Sequence, residues 1–266
     1  MLAVSLLAVM CGAVGCRTRA PLMVAHRGAG DLEMPEASLA AYSNAVATAC
    51  DIVKLDLLET KDGVAVMGHD VDLYRAMKWA ARVCDVTYDE IVARGFLVPV
   101  GGYAHERIVR LDEALAVVKD IPQFWIDFKR FSPKFAENVL ATFRQAGIDE
   151  SRLMVATFSE AALAYMREHH PAIRRVGHVG IWQDEERGLW HSTVGGSSRT
   201  REEQIEAVVG WRDRFGLFGV NMASCMASRR RRTSPTCSGR GFGCRSGLSR
   251  APRWRPSTGM PARTPL

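Results

Sequence analysis

Two short segments carry side chains that can do chemistry, His26-Arg27-Gly28 and His69-Asp70. An imidazole changes its charge near neutral pH, so two of them can serve as the general acid and the general base of a hydrolysis. The guanidinium of Arg27 can form paired hydrogen bonds with phosphate oxygens, and Gly28 lets the backbone approach a ligand closely. Cleaving a phosphodiester requires a positive charge for the non-bridging oxygens, a base for the nucleophile and an acid for the leaving oxygen. These residue types therefore predict a site that handles a phosphodiester.

The elements that must bring the two segments together follow a repeating pattern from residue 22 onward. Short β-rich runs alternate with amphipathic helices, which is typical of βα units around a parallel sheet. The predicted strands cover residues 22–26, 52–58, 64–68, 124–129, 153–157, 174–178 and 216–220. His26 and His69 lie at the ends of the first and third strands, and active sites of α/β barrels gather at the carboxyl ends of strands. Either histidine alone would more often be structural, so their shared placement is what favours one site.

The predicted fold is an α/β TIM (β/α)8-type barrel that is incomplete at its C-terminus. Seven strands are one short of eight, and residues 222–266, which should supply the eighth, have no apolar periodicity. Their composition, rich in Arg, Ser, Pro and Gly, cannot bury enough apolar surface to fold. We interpret this segment as a disordered tail translated out of frame. The functional alternative is an Arg-rich arm that binds nucleic acid or anionic lipid.

The formal net charge of +6 does not describe the barrel domain, which we place at residues 22–221. Residues 222–266 hold ten Arg and no Lys, Asp or Glu, so the first 221 residues carry 25 basic against 29 acidic groups. Because that part is mildly acidic, we expect no nucleic-acid partner. The seven cysteines lack paired metal-ligand spacing, which predicts neither a zinc site nor an essential disulfide.

Residues 1–16 resemble a bacterial lipoprotein signal peptide. An apolar stretch from Leu2 leads through small residues to Gly15-Cys16, which is too short to span a bilayer but suits the apolar region of a signal. Cleavage before Cys16 and lipidation of its thiol would anchor the chain to a membrane. This interpretation predicts a secreted or cell-envelope protein, and the alternative is a frayed or misassigned N-terminus.

Further segments accompany the two histidines in a fixed order. In sequence they are Ala25-His26-Arg27-Gly28, Pro35-Glu36-Ala37-Ser38-Leu39-Ala40-Ala41, Leu55-Asp56, Thr60-Lys61-Asp62-Gly63, His69-Asp70, residues 107–115, Trp125-Ile126-Asp127-Phe128-Lys129 and Val155-Ala156-Thr157-Phe158. As a set they resemble the glycerophosphodiester phosphodiesterase family. The resemblance implies a TIM barrel that cleaves glycerol-3-phosphate diesters to glycerol-3-phosphate and an alcohol with a divalent cation, Ca²⁺ or Mg²⁺. It matches His26 and His69 to the general acid and base, Arg27 to a phosphate contact and Glu36 to an acidic position.

Lys54 departs from the metal-site pattern of that family. The family has a Glu and an Asp two residues apart on the second strand and a Glu on the fourth, where this chain has Lys54, Asp56 and Asp127. Because side chains alternate along a strand, Lys54 shares a face with Asp56, and Asp127 with Lys129. One outcome is a weak metal site on Glu36, Asp56 and Asp127. Another is that the Lys54 ammonium replaces the metal and binds phosphate, with Lys129 as a further phosphate contact; a third is a Lys-Asp pair in an inactive site.

Three classes of function stay open at this point. The first is a glycerophosphodiester-type phosphodiesterase whose substrate is a small glycerophosphodiester. The second is a non-catalytic binder of lipid headgroups or phosphate esters on the same barrel. The third is a related lipid phosphodiesterase of the phospholipase-D-like toxin kind, with the same two histidines. The charge at Lys54 separates the first class from the second.

Overall fold

The structure, a computed structural model, describes residues 22–30, 33–184, 187–194, 196–198 and 200–224, with the side chains of the last three residues left out. All of them fall within the first of the two units into which the chain divides, Met1–Ala227. The predicted signal peptide with Cys16, and the part of the predicted tail 222–266 beyond Ser224, lie outside the described residues and stay predictions. Placing the start of the tail at residue 222 was wrong, because residues 222–224 continue the strand Gly219–Ser224. Within the described ranges, no helix is both long and apolar enough to cross a bilayer.

Strands and helices alternate along the described chain. The strands are β1 Val24–Ala25, β2 Ile52–Glu59, β3 Ala65–Met67, β4 Gln123–Phe128, β5 Leu153–Thr157, β6 Arg174–Asp184, β7 Leu189–Ser192, β8 Gly196–Ser198 and β9 Gly219–Ser224. The α-helices are α1 Leu39–Ala47, α2 Tyr74–Met77, α3 Tyr88–Arg94, α4 Leu111–Val118, α5 Pro133–Gln145, α6 Glu160–His169 and α7 Arg201–Phe215. Single 3-10 turns cover His26–Ala29, Val83–Asp85 and Glu150–Arg152.

Six of the strands are parallel and pair in the order β1-β2-β4-β5-β6-β9. A helix lies in each connection between successive members of this series, as in a (β/α)8 barrel. The prediction of an incomplete TIM barrel is therefore confirmed, with six of eight barrel strands in the described part of the chain. There, β1 and β9 each pair with a barrel strand on one side only.

The strand predicted at 64–68 is not a barrel strand, and the count of seven was wrong on this point. β3 pairs antiparallel with β2, with Leu57 opposite Met67. The five residues between β2 and β3 are too few for a parallel crossover, which needs a dozen or more, and they turn at Gly63 with φ 82°. The hairpin returns the chain toward the barrel, and the Gly68 N–H donates to the Asp56 carbonyl at 3.0 Å. Because this hairpin folds back along β2, His69 lies near the level of Asp56.

The outward face of β2 is apolar and packs in the main core. Val53, Leu55 and Leu57 are all fully buried there. The helices α1, α4 and α5 cover this face with large buried side chains, among them Tyr42, Leu115, Phe135 and Phe143. The alternation of side chains along β2 therefore leaves its other residues to face the barrel interior.

The inward face of the same strands carries charge above an apolar floor. In the pairing of β2 with β4, Lys54 lies opposite Trp125 and Asp56 opposite Asp127. The floor is a small cluster of interior side chains, Ile52, Met154, Ala156 and Val176, with Trp125 packed against it. The charged residues of β2 and β4 thus lie toward the carboxyl ends of the strands.

Side-chain caps begin several of the helices. Ser132 accepts a hydrogen bond from the Phe135 N–H, and Pro133 takes the first position of α5. Capping boxes start α3 at Thr87 and α7 at Thr200. The last predicted strand, 216–220, begins later than expected because α7 runs to Phe215 and ends on Gly216 in a left-handed conformation.

Gly177 of β6 allows α7 to approach the sheet. A Cβ atom added there would lie 1.9 Å from a ring carbon of Trp211, which is 5% exposed. We expect Gly177→Ala to lower the free energy of unfolding by roughly 1–3 kcal/mol, the usual cost of overpacking. Gly210→Ala on α7 is the matched control, because an added Cβ there has no atom within 4 Å. Gly210→Ala should raise the free energy of unfolding by up to about 1 kcal/mol. Urea unfolding measures both variants, and a Gly177→Ala protein more stable than Gly210→Ala would contradict this packing.

Candidate active site

A left-handed turn after β1 presents His26 and Arg27 to the site. Arg27, Gly28 and Ala29 have φ angles of 55°, 78° and 62°. Gly28 is required by close packing as well as by φ, since a Cβ there would lie 2.8 Å from the Tyr42 ring. The Arg27 carbonyl accepts from the Ala37 N–H at 2.9 Å, which holds the turn against the start of α1. The strained backbone of this turn therefore sets the direction of the Arg27 side chain.

Lys54, Asp56, Asp127 and Lys129 form a closed ring of ion pairs, here called the ion-pair quartet. Lys54 Nζ contacts Asp56 Oδ1 and lies 3.0 Å from Asp127 Oδ2. Lys129 Nζ lies 2.7 Å from Asp56 Oδ1 and 2.8 Å from Asp127 Oδ2. Asp56 is fully buried, and Lys54 and Asp127 are each 7% exposed. Burial alone would raise the pKa of Asp127, but His178 and the two ammonium groups outweigh it and hold that pKa well below its usual range.

The carboxylates predicted to hold a divalent cation do not form a metal site as they are arranged. The contacting oxygens of Asp56 and Asp127 face the ammonium groups of the quartet, and the Glu36 oxygens accept from two arginines. Within the described ranges, no three His, Cys, Asp or Glu side chains are grouped so that they could hold a metal ion. Because Ca²⁺ and Mg²⁺ need several oxygens directed at them, the residues present do not fit such a cation.

A second chain of contacts links the two histidine segments and is here called the bridging chain. Arg27 Nη1 donates to Glu36 Oε2 at 2.6 Å, and Arg75 donates both to Glu36 and to Asp70. Asp70 Oδ1 in turn lies 2.7 Å from His69 Nδ1. Burial alone would raise the pKa of the Glu36 and Asp70 carboxyls. Hydrogen bonds from Arg75 to both, from Arg27 to Glu36 and from His69 to Asp70 instead hold each pKa below its ordinary value. Arg75, which the sequence reasoning missed, is therefore the central link.

Both candidate acid-base groups have lowered pKa values. For His26 the causes are burial, then the positive charges of Lys54 and Arg27. For His69 burial acts first, opposed by the hydrogen bond to Asp70 and reinforced by the charges of Lys129 and Arg27. Asp56 raises the pKa of each imidazole. The bridging chain joins Arg27, the neighbour of His26, to His69, so the structure brings the two histidine segments together.

His178 is a second residue that the sequence reasoning missed. It lies on β6, is 6% exposed, and places Nε2 at 3.6 Å from Asp127 Oδ2. Its Nδ1 lies 3.1 Å from the Asn221 amide nitrogen, and its ring stacks on Trp125. A signal was available, because His178 ends the predicted strand 174–178 just as His26 ends the first strand.

The hydrogen bond that His69 Nδ1 donates to Asp70 gives a test of the bridging chain. Replacing Asp70 by Asn removes the negative partner that raises the pKa of His69, so we expect that pKa to fall further in Asp70→Asn. An NMR titration of the His69 ring protons measures the change. Asp72→Asn is the control, since Asp72 is exposed and hydrogen-bonds to the Tyr74 N–H. A His69 pKa that is unchanged or raised in Asp70→Asn would show that the contact does not act in solution.

Comparison with known proteins identifies the family of the chain. A scan against protein-family models matches residues 26–194 to the glycerophosphoryl diester phosphodiesterase family. A glycerophosphodiester phosphodiesterase of Caldanaerobacter subterraneus subsp. tengcongensis is 27% identical over 159 residues, 58% of this chain and 64% of that protein. A probable glycerophosphodiester phosphodiesterase 1 of Mycobacterium tuberculosis is 29% identical over 174 residues, 59% of this chain and 63% of that protein. The chain thus spans less than two thirds of the length of either relative.

Solved structures are similar in fold. A glycerophosphoryl diester phosphodiesterase structure from Agrobacterium tumefaciens has a TM-score of 0.61 at 19% identity, covering 76% of this chain and 74% of that one. A phosphodiesterase of Oleispira antarctica, in complex with the product sn-glycerol-3-phosphate, has a TM-score of 0.55 at 20% identity over 76% and 74% of the two chains. The family match covers more than half of this chain and includes His26, Arg27, Glu36, Asp56 and His69. The chain belongs to the glycerophosphoryl diester phosphodiesterase family.

Proposed function

We propose that the protein hydrolyses glycerophosphodiesters to sn-glycerol-3-phosphate and an alcohol. The observation that carries the proposal is the bridging chain, which joins Arg27, the neighbour of His26, to Asp70 and His69 in a chain of this family. The Oleispira antarctica relative, whose structure contains sn-glycerol-3-phosphate as product, supports the choice of product.

His26 and His69 divide the proton transfers between them. One neutral imidazole accepts a proton from the attacking water as the new P–O bond forms, and the other, protonated, gives its proton to the leaving alcohol oxygen as the old P–O bond breaks. Asp70 accepts from Nδ1 of His69, which assigns Nε2 as the reacting atom of that ring. One proton is taken up and one is released in each turnover, so the pair is restored by exchange with solvent.

The positive charge for the phosphate oxygens comes from Arg27, Lys54 and Lys129. An ammonium group has three N–H donors, and each lysine of the ion-pair quartet donates one hydrogen bond within it, Lys54 to Asp56 and Lys129 to Asp127, with the other carboxylate at ion-pair distance. Each lysine can then donate to a non-bridging oxygen as well. Lys54 in this arrangement supplies charge where the family pattern has an acidic residue.

We expect the purified protein to turn over glycerophosphocholine in the presence of a chelator. His26→Ala should lower kcat by about 10²- to 10⁴-fold, the usual loss when a general acid or base is removed. His105→Ala is the control, because His105 is exposed and packs edge-to-face against Phe96 outside the site. Release of choline measures the rate.

The Lys54→Glu variant tests whether the parent protein hydrolyses phosphodiesters or only binds phosphate esters. This variant returns an acidic residue to the second strand, so its turnover should depend on added Ca²⁺ or Mg²⁺. One alternative is a protein that binds phosphate esters without hydrolysing them. It is favoured by the pairing of both lysines of the quartet with carboxylates. If the parent chain is inactive and Lys54→Glu with metal is active, the alternative is correct and the proposal fails.

The lowered pKa values of the histidines predict an acid-shifted pH profile. A general base works when deprotonated, so kcat/KM rises with pH through its pKa, and a general acid works when protonated, so kcat/KM falls above its pKa. Both groups titrate below the ordinary histidine value of 6.5 in the free protein. We therefore expect a bell-shaped kcat/KM profile centred below pH 6.5. A maximum above pH 7 would contradict the assignment of these two groups.

A further inference from the structure

An apolar cavity of about 240 Å³ lies beside His69 and has no part in the chemistry described so far. Its walls are mainly aliphatic, and the buried aliphatic side chains among them include Leu58, Val66, Leu73, Val83, Leu97 and Ile108. The β2–β3 hairpin supplies one side, and the segment between β3 and α4 supplies the other. The same side chains form a separate hydrophobic cluster of the fold, distinct from the main core.

Most of the polar residues that line this cavity belong to the bridging chain, and Asp72 lines it as well. Glu36, His69, Asp70 and Arg75 have side chains 27%, 36%, 33% and 50% exposed, while the aliphatic wall is buried. The cavity therefore opens beside His69. Glu36, which lines it, also accepts from Arg27 Nη1 at 2.6 Å, so the opening adjoins the guanidinium that would hold the phosphate.

We propose that the cavity binds the apolar chain of the alcohol that is esterified to the phosphate, so that the preferred substrates are diesters with an alkyl or acyl chain. The inference rests on the proposed function and names its substrate class. Apolar cavities of roughly 150 Å³ stay dry and take up a benzene-sized guest, and this one is larger. The glycerol moiety, with its hydroxyl groups, does not suit aliphatic walls and occupies the other side of the phosphate.

A cationic alcohol such as choline fits the cavity less well than an alkyl chain. Recognition of a quaternary ammonium group uses aromatic faces, and the described lining includes no Phe, Tyr or Trp. The carboxylates of Glu36 and Asp70 at the opening are already paired with Arg75. The chemistry of the lining therefore favours a chain of methylene groups.

Calorimetric titration with hexyl phosphate and methyl phosphate tests the cavity without requiring turnover. Each buried methylene raises affinity about fourfold, so we expect hexyl phosphate to bind at least about tenfold more tightly. Ala76→Phe, which fills the cavity from its half-buried wall, should abolish this preference and keep methyl phosphate binding. Ala93→Phe, on the exposed face of α3 outside the cavity, is the matched control. Val100→Phe, also in the lining, is the second variant if Ala76→Phe is unfolded by circular dichroism.

Equal affinities for the two phosphates in the parent chain, or no binding of hexyl phosphate, overturns the inference. So does a preference that survives both Ala76→Phe and Val100→Phe. The outcome is separate from that of the proposed function, because a chain that prefers hexyl phosphate yet hydrolyses no diester has the cavity without the catalysis. If hydrolysis is found, kcat/KM for the hexyl diester of glycerol phosphate should exceed that for the methyl diester by a similar factor.

Discussion

The ion-pair quartet inside the half-barrel is the interaction on which the rest of the site depends. Removing one member of a buried ion pair leaves an uncompensated charge, at a cost of about 3–5 kcal/mol. The parallel pairing of β2 with β4 sets Asp56 opposite Asp127, and a slip by one residue would send these side chains into the apolar core. The quartet therefore specifies the register of the two strands. It also places Asp56 beside Arg27, with 3.7 Å between Oδ2 and Nε, and so ties the turn after β1 to the same point.

Outside the barrel strands, the bridging chain makes the segment after β3 part of the candidate active site. Arg75 lies on a single helical turn, yet it holds Asp70, which orients His69, and Glu36, which holds Arg27. The aliphatic cavity lies directly behind this chain. A substrate chain that enters the cavity would therefore pack against the same groups that align the proton transfer. The groups that would contact the substrate chain are thus the same groups that would align the two histidines.

Local chemistry made much of the fold predictable, and long-range contacts account for the rest. The prediction of 153–157 agrees with β5 at both ends, because strand periodicity depends on neighbours in sequence. Periodicity does not give strand direction, so β3 was taken as a barrel strand although its linker is too short. The predicted site residues do converge. Arg75 could not be found, because its partner Glu36 is 39 residues away and no local pattern marks the pair.

Position 54 shows how a barrel of this kind can balance its interior charge in two ways. With Lys54, the two lysines and two aspartates of the quartet sum to zero. With the glutamate of the family pattern at that position, the same four residues sum to minus two, which one divalent cation neutralises. Lysine and glutamate codons differ by a single base change. Evolution can therefore pass between a metal-loaded interior and a self-neutralised one in a single mutational step, with electroneutrality kept at both ends.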